Sequence, residues 1–231
     1  MMTGKIAVIT PTYQTPENWL RQCIESVQRQ TIGPVEHIII SDGDPNFALS
    51  AGFTGTVIQL AENFGDYGDT PRWIGVQKAI QNGAEIIAFL DADNWYADDH
   101  LESCIAAAGL EKAAVVASKR MLVTLAGDPI DTCYMCGTEG FADTSSMVFF
   151  APAFEALRAW GDMEDWQHPI DDRIVWQRVK SLGFPIALSN EVTLNYRCTH
   201  QLFYESFDLP IPDGVKTAMD VEAALERWEC Q

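Results

Sequence analysis

The chain has 231 residues, of which 47% are hydrophobic and 21% charged, proportions typical of a single folded domain. Its 15 Lys and Arg residues stand against 33 Asp and Glu residues, which gives a net charge of -18. That charge repels phosphate backbones and anionic lipid surfaces, so we expect no nucleic-acid polymer as a partner. A phosphate-bearing small molecule would need a cation or a few placed arginines to overcome this field locally.

The sequence also predicts a cellular setting. The opening "MMTGKIAVITPTY" has an apolar run too short for a signal peptide, and no transmembrane segment follows, so we expect a cytoplasmic protein. Six scattered cysteines suit reduced thiols. The "CYMC" at 133–136 could be half of a zinc site or a redox pair, but the lack of a second such pair favours a structural role.

Strands and helices alternate in the first half. Short β-branched runs predict strands at 5–10, 35–41, 56–61 and 85–90. Helices are predicted after Thr15-Pro16, with Thr15 as N-cap and Pro16 in the first turn, from Pro71 or Arg72 to Asn82 with Gly83 as the stop, and over 98–108 with Gly109 as the stop. This alternation predicts an α/β fold with a mostly parallel, Rossmann-like central sheet and helices on both faces.

After residue 112 the pattern changes but no linker appears. An apolar stretch "AAVVASKRML", a turn at "AGDP", a strand "SSMVFFA" and helices near 152–160 and 171–182 follow. Because no Pro/Gly/Ser-rich segment divides the chain, we expect one domain over 1–231, with halves 1–110 and 111–205 and a C-terminal extension 206–231.

Polar clusters follow all four predicted strands of the first half, and parallel strands would bring them to one edge of the sheet. An aromatic for a base, a carboxylate for a ribose and paired carboxylates for a divalent cation are what a nucleotide diphosphate requires. A lone Asp-x-Asp is more often a polar turn, so the order of the clusters carries the interpretation. The clusters are Thr10–Tyr13, Ser41–Asp44, Glu62–Asn63 and Asp91–Asp93.

The succession "IAVITPTYQTPENWLRQCIESVQRQT", "HIIISDGDP", "NFGDYGDTPRWIG" and "IIAFLDADN" resembles the family 2 glycosyltransferases of the GT-A fold over about residues 4–200. The resemblance implies inverting transfer from a nucleotide sugar with Mn²⁺ or Mg²⁺. It makes 1–110 the nucleotide-binding half and 111–205 the acceptor and catalytic half. Pro71 and Trp73 depart from the family's Ala and Asn around Arg72. The residues assigned by resemblance to the nucleotide are Pro11, Tyr13, Asp42, Asn63, Arg72 and Asp91, the last as a ribose or water-mediated metal contact.

The resemblance also implies a metal site. It makes Asp93 the direct ligand. Tyr196-Arg197-x-x-His200 resembles a segment whose histidine reaches the metal, although one extra residue separates Arg from His. An imidazole nitrogen is a suitable Mn²⁺ ligand. The alternative for His200 is a polar or helix-capping side chain.

A catalytic base is expected near the start of the last predicted helix. Val175-Trp176-Gln177-Arg178 matches the family's apolar-Trp-x-Arg run, which aligns Asp172 with the catalytic carboxylate and puts Asp171 where the family has Glu. A helix start would keep such a carboxylate ionised. A plain N-cap, or Glu164-Asp165 as the base, are the alternatives. By resemblance, Asp143, Thr144, Ser145 and Asp171 are candidates to touch the donor sugar or acceptor.

The sequence therefore predicts a metal-dependent inverting glycosyltransferase. Its donor is expected to be a UDP-sugar, with dTDP- and GDP-sugars as alternatives, and its acceptor a saccharide or glycan precursor. A nucleotidyltransferase would favour a basic Gly-rich loop after the first strand, and "TPTYQTPE" has neither feature. A non-catalytic nucleotide-sugar binding module is the other alternative.

Overall fold

A computed structural model describes residues 4–49, 53–217 and 219–230 of the chain. Strands and helices alternate in the first half, as the sequence predicts. The strands are β1 Ile6–Thr12, β2 Val35–Ser41, β3 Thr56–Gln59, β4 Ile86–Phe89, β5 Trp95–Tyr96, β6 Val115–Val123, β7 Pro129–Thr132, β8 Met147–Phe150 and β9 Ile186–Arg197. The α-helices are α1 Glu17–Gln28, α2 Asp69–Gln81, α3 His100–Glu111, α4 Ala159–Asp162, α5 Asp171–Ser181, α6 Gln201–Ser206 and α7 Met219–Glu229.

The strands of both halves form one sheet in the order β3-β2-β1-β4-β8-β6-β9-β5, with β7 beside β6. β1 pairs in parallel with β2 and β4, and β2 with β3. The carboxyl ends of these four strands therefore lie at one edge. β8 runs antiparallel between β4 and β6 and connects the first half of the chain to the second.

Helices cover both faces of the sheet, and β1 shows why. Its residues are all buried and alternate between two cores. Ala7 and Ile9 face a core that contains α2, α4 and α5, whereas Ile6 and Val8 face one that contains α1 and α3. A strand buried on both faces reads as a continuous apolar run, which is the pattern that identified it.

Some element ends differ from the sequence prediction. α2 begins at Asp69, before Pro71. α3 continues through Gly109 to Glu111, and its C-cap is Lys112, whose φ is 53°. A glycine inside a helix costs about 1 kcal/mol, which the packing of the buried α3 side chains outweighs. Pro16, not Thr15, is the N-cap of α1. The segment predicted as a helix over 152–160 is mostly a 3-10 helix, Ala151–Arg158.

All six cysteines are free thiols, and only Cys230 is exposed. Cys133 and Cys136 pack with Cys198, Leu122 and Phe141 in a small apolar cluster. This packing is what a structural "CYMC" requires. Within the described ranges, no helix is both long and apolar enough to cross a membrane.

A buried histidine on β2 should make the fold sensitive to acid. His37 is 4% exposed, and its Nε2 lies 2.9 Å from Oγ1 of Thr10. Its Nδ1 has no partner among the described residues. Burial lowers the pKa of His37 to about 3. The folded state therefore binds this proton more weakly than the unfolded state, so stability is full above the ordinary histidine pKa and falls as pH decreases toward 3.

We expect this one histidine to lower the free energy of unfolding by about 2–3 kcal/mol between roughly pH 7.5 and 4.5. The measurement is urea unfolding of wild type and His37→Leu at both pH values. On acidification, the variant should lose less unfolding free energy than wild type, and the difference should be about that amount. This holds even if the substitution changes the stability at neutral pH. Parallel losses in the two proteins would contradict a buried, neutral His37.

Candidate active site

Arg72, in the first turn of α2, joins the two halves of the chain. Its side chain is 6% exposed. Nη2 donates a 2.7 Å hydrogen bond to Asp91 Oδ1, beyond β4. Nη1 donates at 2.9 Å to Asp171 Oδ2, at the start of α5, and at 3.3 Å to Asp69 Oδ1. Burial alone would lower the pKa of Arg72, but the carboxylates, Asp91 foremost, raise it above its ordinary value. Arg72 is thus a permanent cation that gathers three carboxylates from three elements.

The loops after β2 and β3 are held together by Asp42. Asn63 Nδ2 donates to its Oδ2 at 2.9 Å, and the Phe64 amide donates to its Oδ1 at 3.1 Å. Gly43 is required here because its φ is 67° and an added Cβ would lie 2.2 Å from the carbonyl carbon of Glu62. The two predicted nucleotide contacts Asp42 and Asn63 therefore bond directly to each other.

The end of β1 lies beside the start of α2. Pro11 is buried within β1, and a Cβ added to Gly68 would lie 3.2 Å from its Cβ and 3.4 Å from Arg72 Nη1. Tyr13, just beyond β1, is 46% exposed. An exposed ring at a strand end is available to stack on a base. The strand-end residues assigned to the nucleotide thus border one edge of the sheet.

The segment 143–145 is occupied by contacts within the protein. Ser145 Oγ donates to Asp91 Oδ2 at 3.0 Å and accepts from the Asp91 amide at 3.0 Å. Asp143 is 5% exposed and forms an ion pair with Arg120, and Thr144 is buried. Ser145 therefore orients Asp91. Contact of these three residues with a sugar stays a prediction.

The two candidate bases lie in different environments. Asp171 and Asp172 begin α5, where Asp171 Oδ1 accepts from the Asp172 amide. Glu164 and Asp165 are exposed, and Glu164 pairs with Arg227 at 3.6 Å on the outside. The Asp171–Asp172 pair alone adjoins the Arg72 network.

The effect of the helix start on Asp172 is opposed by its surroundings. Burial, and then the neighbouring Asp171, raise the pKa of Asp172 well above its ordinary value. Burial and Asp69 do the same for the pKa of Asp171. Desolvation and like charges outweigh a helix-terminus effect of roughly 1 kcal/mol.

Asp93 and His200 are the predicted metal ligands. Burial, and then Asp91, raise the pKa of Asp93 to about 7, while Lys216 opposes the shift. His200 is partly buried, its Nδ1 has no hydrogen-bond partner in the described part of the chain, and its side chain does not cap α6. Burial and Lys216 lower the pKa of His200, which keeps its imidazole neutral. Lys216 forms a backbone β-bridge with His200, and its charge acts on the pKa of both His200 and Asp93.

The donor atoms of Asp93 and His200 are chemically suited to bind a divalent cation. An unpaired buried imidazole nitrogen and a carboxylate that is costly to ionise without a cation are suitable ligands for Mn²⁺. Among the described residues, however, no three His, Cys, Asp or Glu side chains converge as a complete metal site. A bound cation would need further oxygens from its ligand.

Sequence reasoning missed Asp69 and His168. Asp69 is fully buried, and His168 Nδ1 lies 2.6 Å from its Oδ2. Asp69 stands in the quoted "GDTPR", but it reads as an ordinary acidic residue in the first turn of a helix. No local pattern indicates a partner 99 residues away.

A family comparison identifies the chain. The model of Glycosyl transferase family 2 matches residues 7–140, more than half of the sequence. The chain belongs to glycosyltransferase family 2. This match covers β1 to β4 and the Asp91–Asp93 segment, and confirms the resemblance stated from the sequence.

Two curated relatives are similar to parts of this family 2 chain. Putative glycosyltransferase EpsH of Bacillus subtilis (strain 168) is 29% identical over 119 residues, which are 50% of this chain and 34% of EpsH. Glycosyltransferase GlyA of Streptococcus pneumoniae serotype 4 (strain ATCC BAA-334 / TIGR4) is 26% identical over 113 residues, 45% of this chain and 15% of GlyA. The chain thus spans about a third or less of the curated relatives it matches.

Solved structures of S. aureus TarS 1-349 share the fold. The complex with UDP has a TM-score of 0.65 at 17% identity and covers 87% of this chain and 62% of that one. The complex with UDP-GlcNAc has a TM-score of 0.63 at 17% identity and covers 84% and 58%. The predicted GT-A fold is confirmed.

Proposed function

We propose that this protein is an inverting glycosyltransferase that moves a sugar from a nucleotide sugar to an acceptor hydroxyl, with Asp172 as general base. The observation that carries the proposal is the Arg72 network. It brings the Asp91 segment of the nucleotide-binding half to the Asp171–Asp172 pair of the second half. A transferase needs a donor site and a catalytic base side by side, whereas a binding module needs only the donor site.

The chemistry is one displacement. Asp172 accepts the proton of the acceptor hydroxyl as its oxygen forms a bond to the anomeric carbon. The bond from that carbon to the nucleotide diphosphate breaks, and the electron pair leaves with the diphosphate. Attack opposite the leaving group inverts the anomeric centre. The raised pKa of Asp172 makes its ionised form a stronger base than an exposed aspartate.

Arg72 is the proposed cation for the diphosphate, but its guanidinium already binds carboxylates. We propose that a phosphate oxygen reaches it by displacing or sharing the place of Asp91, whose side chain is the most exposed of the three carboxylate partners at 26%. A guanidinium group binds carboxylate and phosphate oxygens in similar geometry, so a phosphate can take the place of the Asp91 carboxylate.

Asp93 and His200 would hold a Mn²⁺ or Mg²⁺ ion. Such an ion supplies positive charge that stabilises a departing diphosphate. The net charge of -18 makes this local compensation necessary for an anionic ligand.

A UDP-sugar is the proposed donor. TarS, which shares the fold, has been solved with UDP and with UDP-GlcNAc. Asp42, Asn63 and exposed Tyr13 provide hydrogen-bonding and stacking groups for a base and ribose. The acceptor is proposed to be a saccharide or glycan precursor. Six free thiols favour a reducing compartment, and on that ground we propose a cytoplasmic location.

The test is sugar transfer and hydrolysis from a panel of UDP-, dTDP- and GDP-sugars, with Mn²⁺, Mg²⁺ or chelator. Metal-dependent release of UDP from at least one UDP-sugar supports the proposal. Tight binding of a nucleotide sugar without release from any donor, with every acceptor class offered, would instead identify a binding module.

His200 provides a separate prediction about the metal. We expect His200→Ala to weaken Mn²⁺-dependent binding of UDP by about tenfold or more, because one ligand is lost. Binding of uridine, which has no diphosphate, should change little. Calorimetry with both ligands measures this. Equal Mn²⁺-dependent UDP affinity in wild type and His200→Ala would exclude the ligand role.

A further inference from the structure

A chain of buried polar contacts leads from the outer edge of the site to the proposed base. His168 lies in the 3-10 turn that directly precedes α5, and its Nδ1 is 2.6 Å from Asp69 Oδ2. Arg72 Nη1 donates both to Asp69 Oδ1 at 3.3 Å and to Asp171 Oδ2 at 2.9 Å, so the carboxyl groups of Asp69 and Asp171 meet at one nitrogen. A hydrogen bond between the two carboxyl groups agrees with this arrangement. Asp171 Oδ1 in turn accepts from the backbone amide of Asp172. The contacts thus run continuously from His168 to the residue that carries the base.

Asp69 cannot itself reach a substrate. It is 0% exposed, and its two oxygens are already used by Arg72 at 3.3 Å and by His168. Any influence on transfer must therefore act through its neighbours. Those neighbours are Arg72 and Asp171, which adjoin the proposed diphosphate and acceptor positions.

Two carboxyl groups in hydrogen-bond contact must hold a proton between them, because two carboxylates have only acceptor oxygens. Burial raises the pKa of Asp69 to about 7, and burial with Asp69 raises the pKa of Asp171. These directions agree with a pair that keeps one proton near neutral pH. The proton makes the contact attractive, whereas two ionised groups would repel each other.

We propose that Asp69 and His168 are positioning residues: Asp69 shares a proton with Asp171 and, held by His168, fixes the start of α5 and hence the Asp172 carboxylate relative to Arg72. This inference rests on the proposed function. The contact explains why an aspartate is fully buried at the first position of α2. It also gives Asp171 a role: Asp171 holds the start of α5 while Asp172 acts on the acceptor.

The test compares Asp69→Ala with Asp69→Asn. An asparagine amide can donate permanently to Asp171 while its oxygen accepts from Arg72 or His168. We expect Asp69→Ala to lower kcat by roughly ten- to a hundredfold, the effect of a misplaced base, with the donor KM changed by less than about threefold. Asp69→Asn should retain kcat within about threefold of wild type. A purely structural role would not separate these variants in kcat per folded molecule.

Glu36→Ala is the control for loss of a partly buried, hydrogen-bonded carboxylate. Glu36 is 15% exposed at its side chain and binds Lys5 at 2.9 Å, Thr56 at 2.9 Å and Asn82 at 2.6 Å, away from the carboxyl ends of the strands. It should lose stability without loss of kcat. Unchanged kcat in Asp69→Ala, or equal loss in the Ala and Asn variants, would overturn the positioning role.

A second measurement does not depend on activity. In a double-mutant cycle of unfolding, the effect of Asp171→Ala on the unfolding constant is measured in wild type and in Asp69→Ala. The two effects should differ by at least about tenfold. Additive effects would overturn the shared proton. If the wild-type protein transfers no sugar from any donor, the proposed function fails, while the cycle still decides whether Asp69 and Asp171 are coupled.

Discussion

Replacement of Asp172 by Asn should lower kcat for transfer by at least about a hundredfold, the usual contribution of a positioned general base. The amide has the size of the carboxylate but cannot accept the acceptor's proton. Because the base acts on the acceptor and not on the phosphates, UDP affinity should stay within about twofold of wild type. Steady-state kinetics and calorimetry on the same preparations measure both quantities.

Asp165→Asn is the matched control, since Asp165 is exposed and lies outside the Arg72 network. It should retain wild-type kcat. Retained turnover in Asp172→Asn together with loss in Asp171→Asn would make Asp171 the base and Asp172 its neighbour. Loss in Asp165→Asn alone would show that the exposed pair performs the chemistry.

Replacement of Arg72 by Met should destabilise the fold by about 3–5 kcal/mol, the cost of removing one partner from a buried ion pair. Methionine fills much of the same volume but leaves Asp69, Asp91 and Asp171 close together without their cation. The cationic group also lies 5.0 Å from the Trp160 ring, and that contact would be lost. Urea unfolding at neutral pH measures the change.

Arg21→Met is the control, because Arg21 pairs with Glu17 on the exposed face of α1, where the two side chains are 51% and 74% exposed. An exposed pair contributes little, so its loss should change stability by about 0.5 kcal/mol or less. A similar, small effect of Arg72→Met would mean that the three carboxylates do not need the arginine to stay buried.

The strand ends were predictable because the signals are local. Ile6–Thr12 and Ile86–Phe89 are buried on both faces, so their apolar runs identify them without knowledge of any partner. Parallel pairing of β1 with β2 and β4 then brings Pro11, Asp42 and Asp91 to one edge. The order of these segments along the chain was enough to indicate the family.

Other features depend on contacts that no local pattern contains. Ser145 was predicted to touch a sugar, but it binds Asp91, which is 54 residues away. Asp172 was expected to be ionised by its helix start, yet burial beside Asp171 acts in the opposite direction. Periodicity reports which face of an element is apolar, and it carries no information about which charges meet when elements pack.

The α/β pattern, the excess of negative charge and the carboxylates at Asp91–Asp93 and Asp171–Asp172 could be predicted without a structure, because each follows from residue type and short-range order. The packed structure was needed to show that Arg72 binds Asp171 and that Asp69 binds His168. Each of these two contacts joins residues 99 positions apart. Their energies come from shared burial, which exists only after the two halves of the sheet have come together.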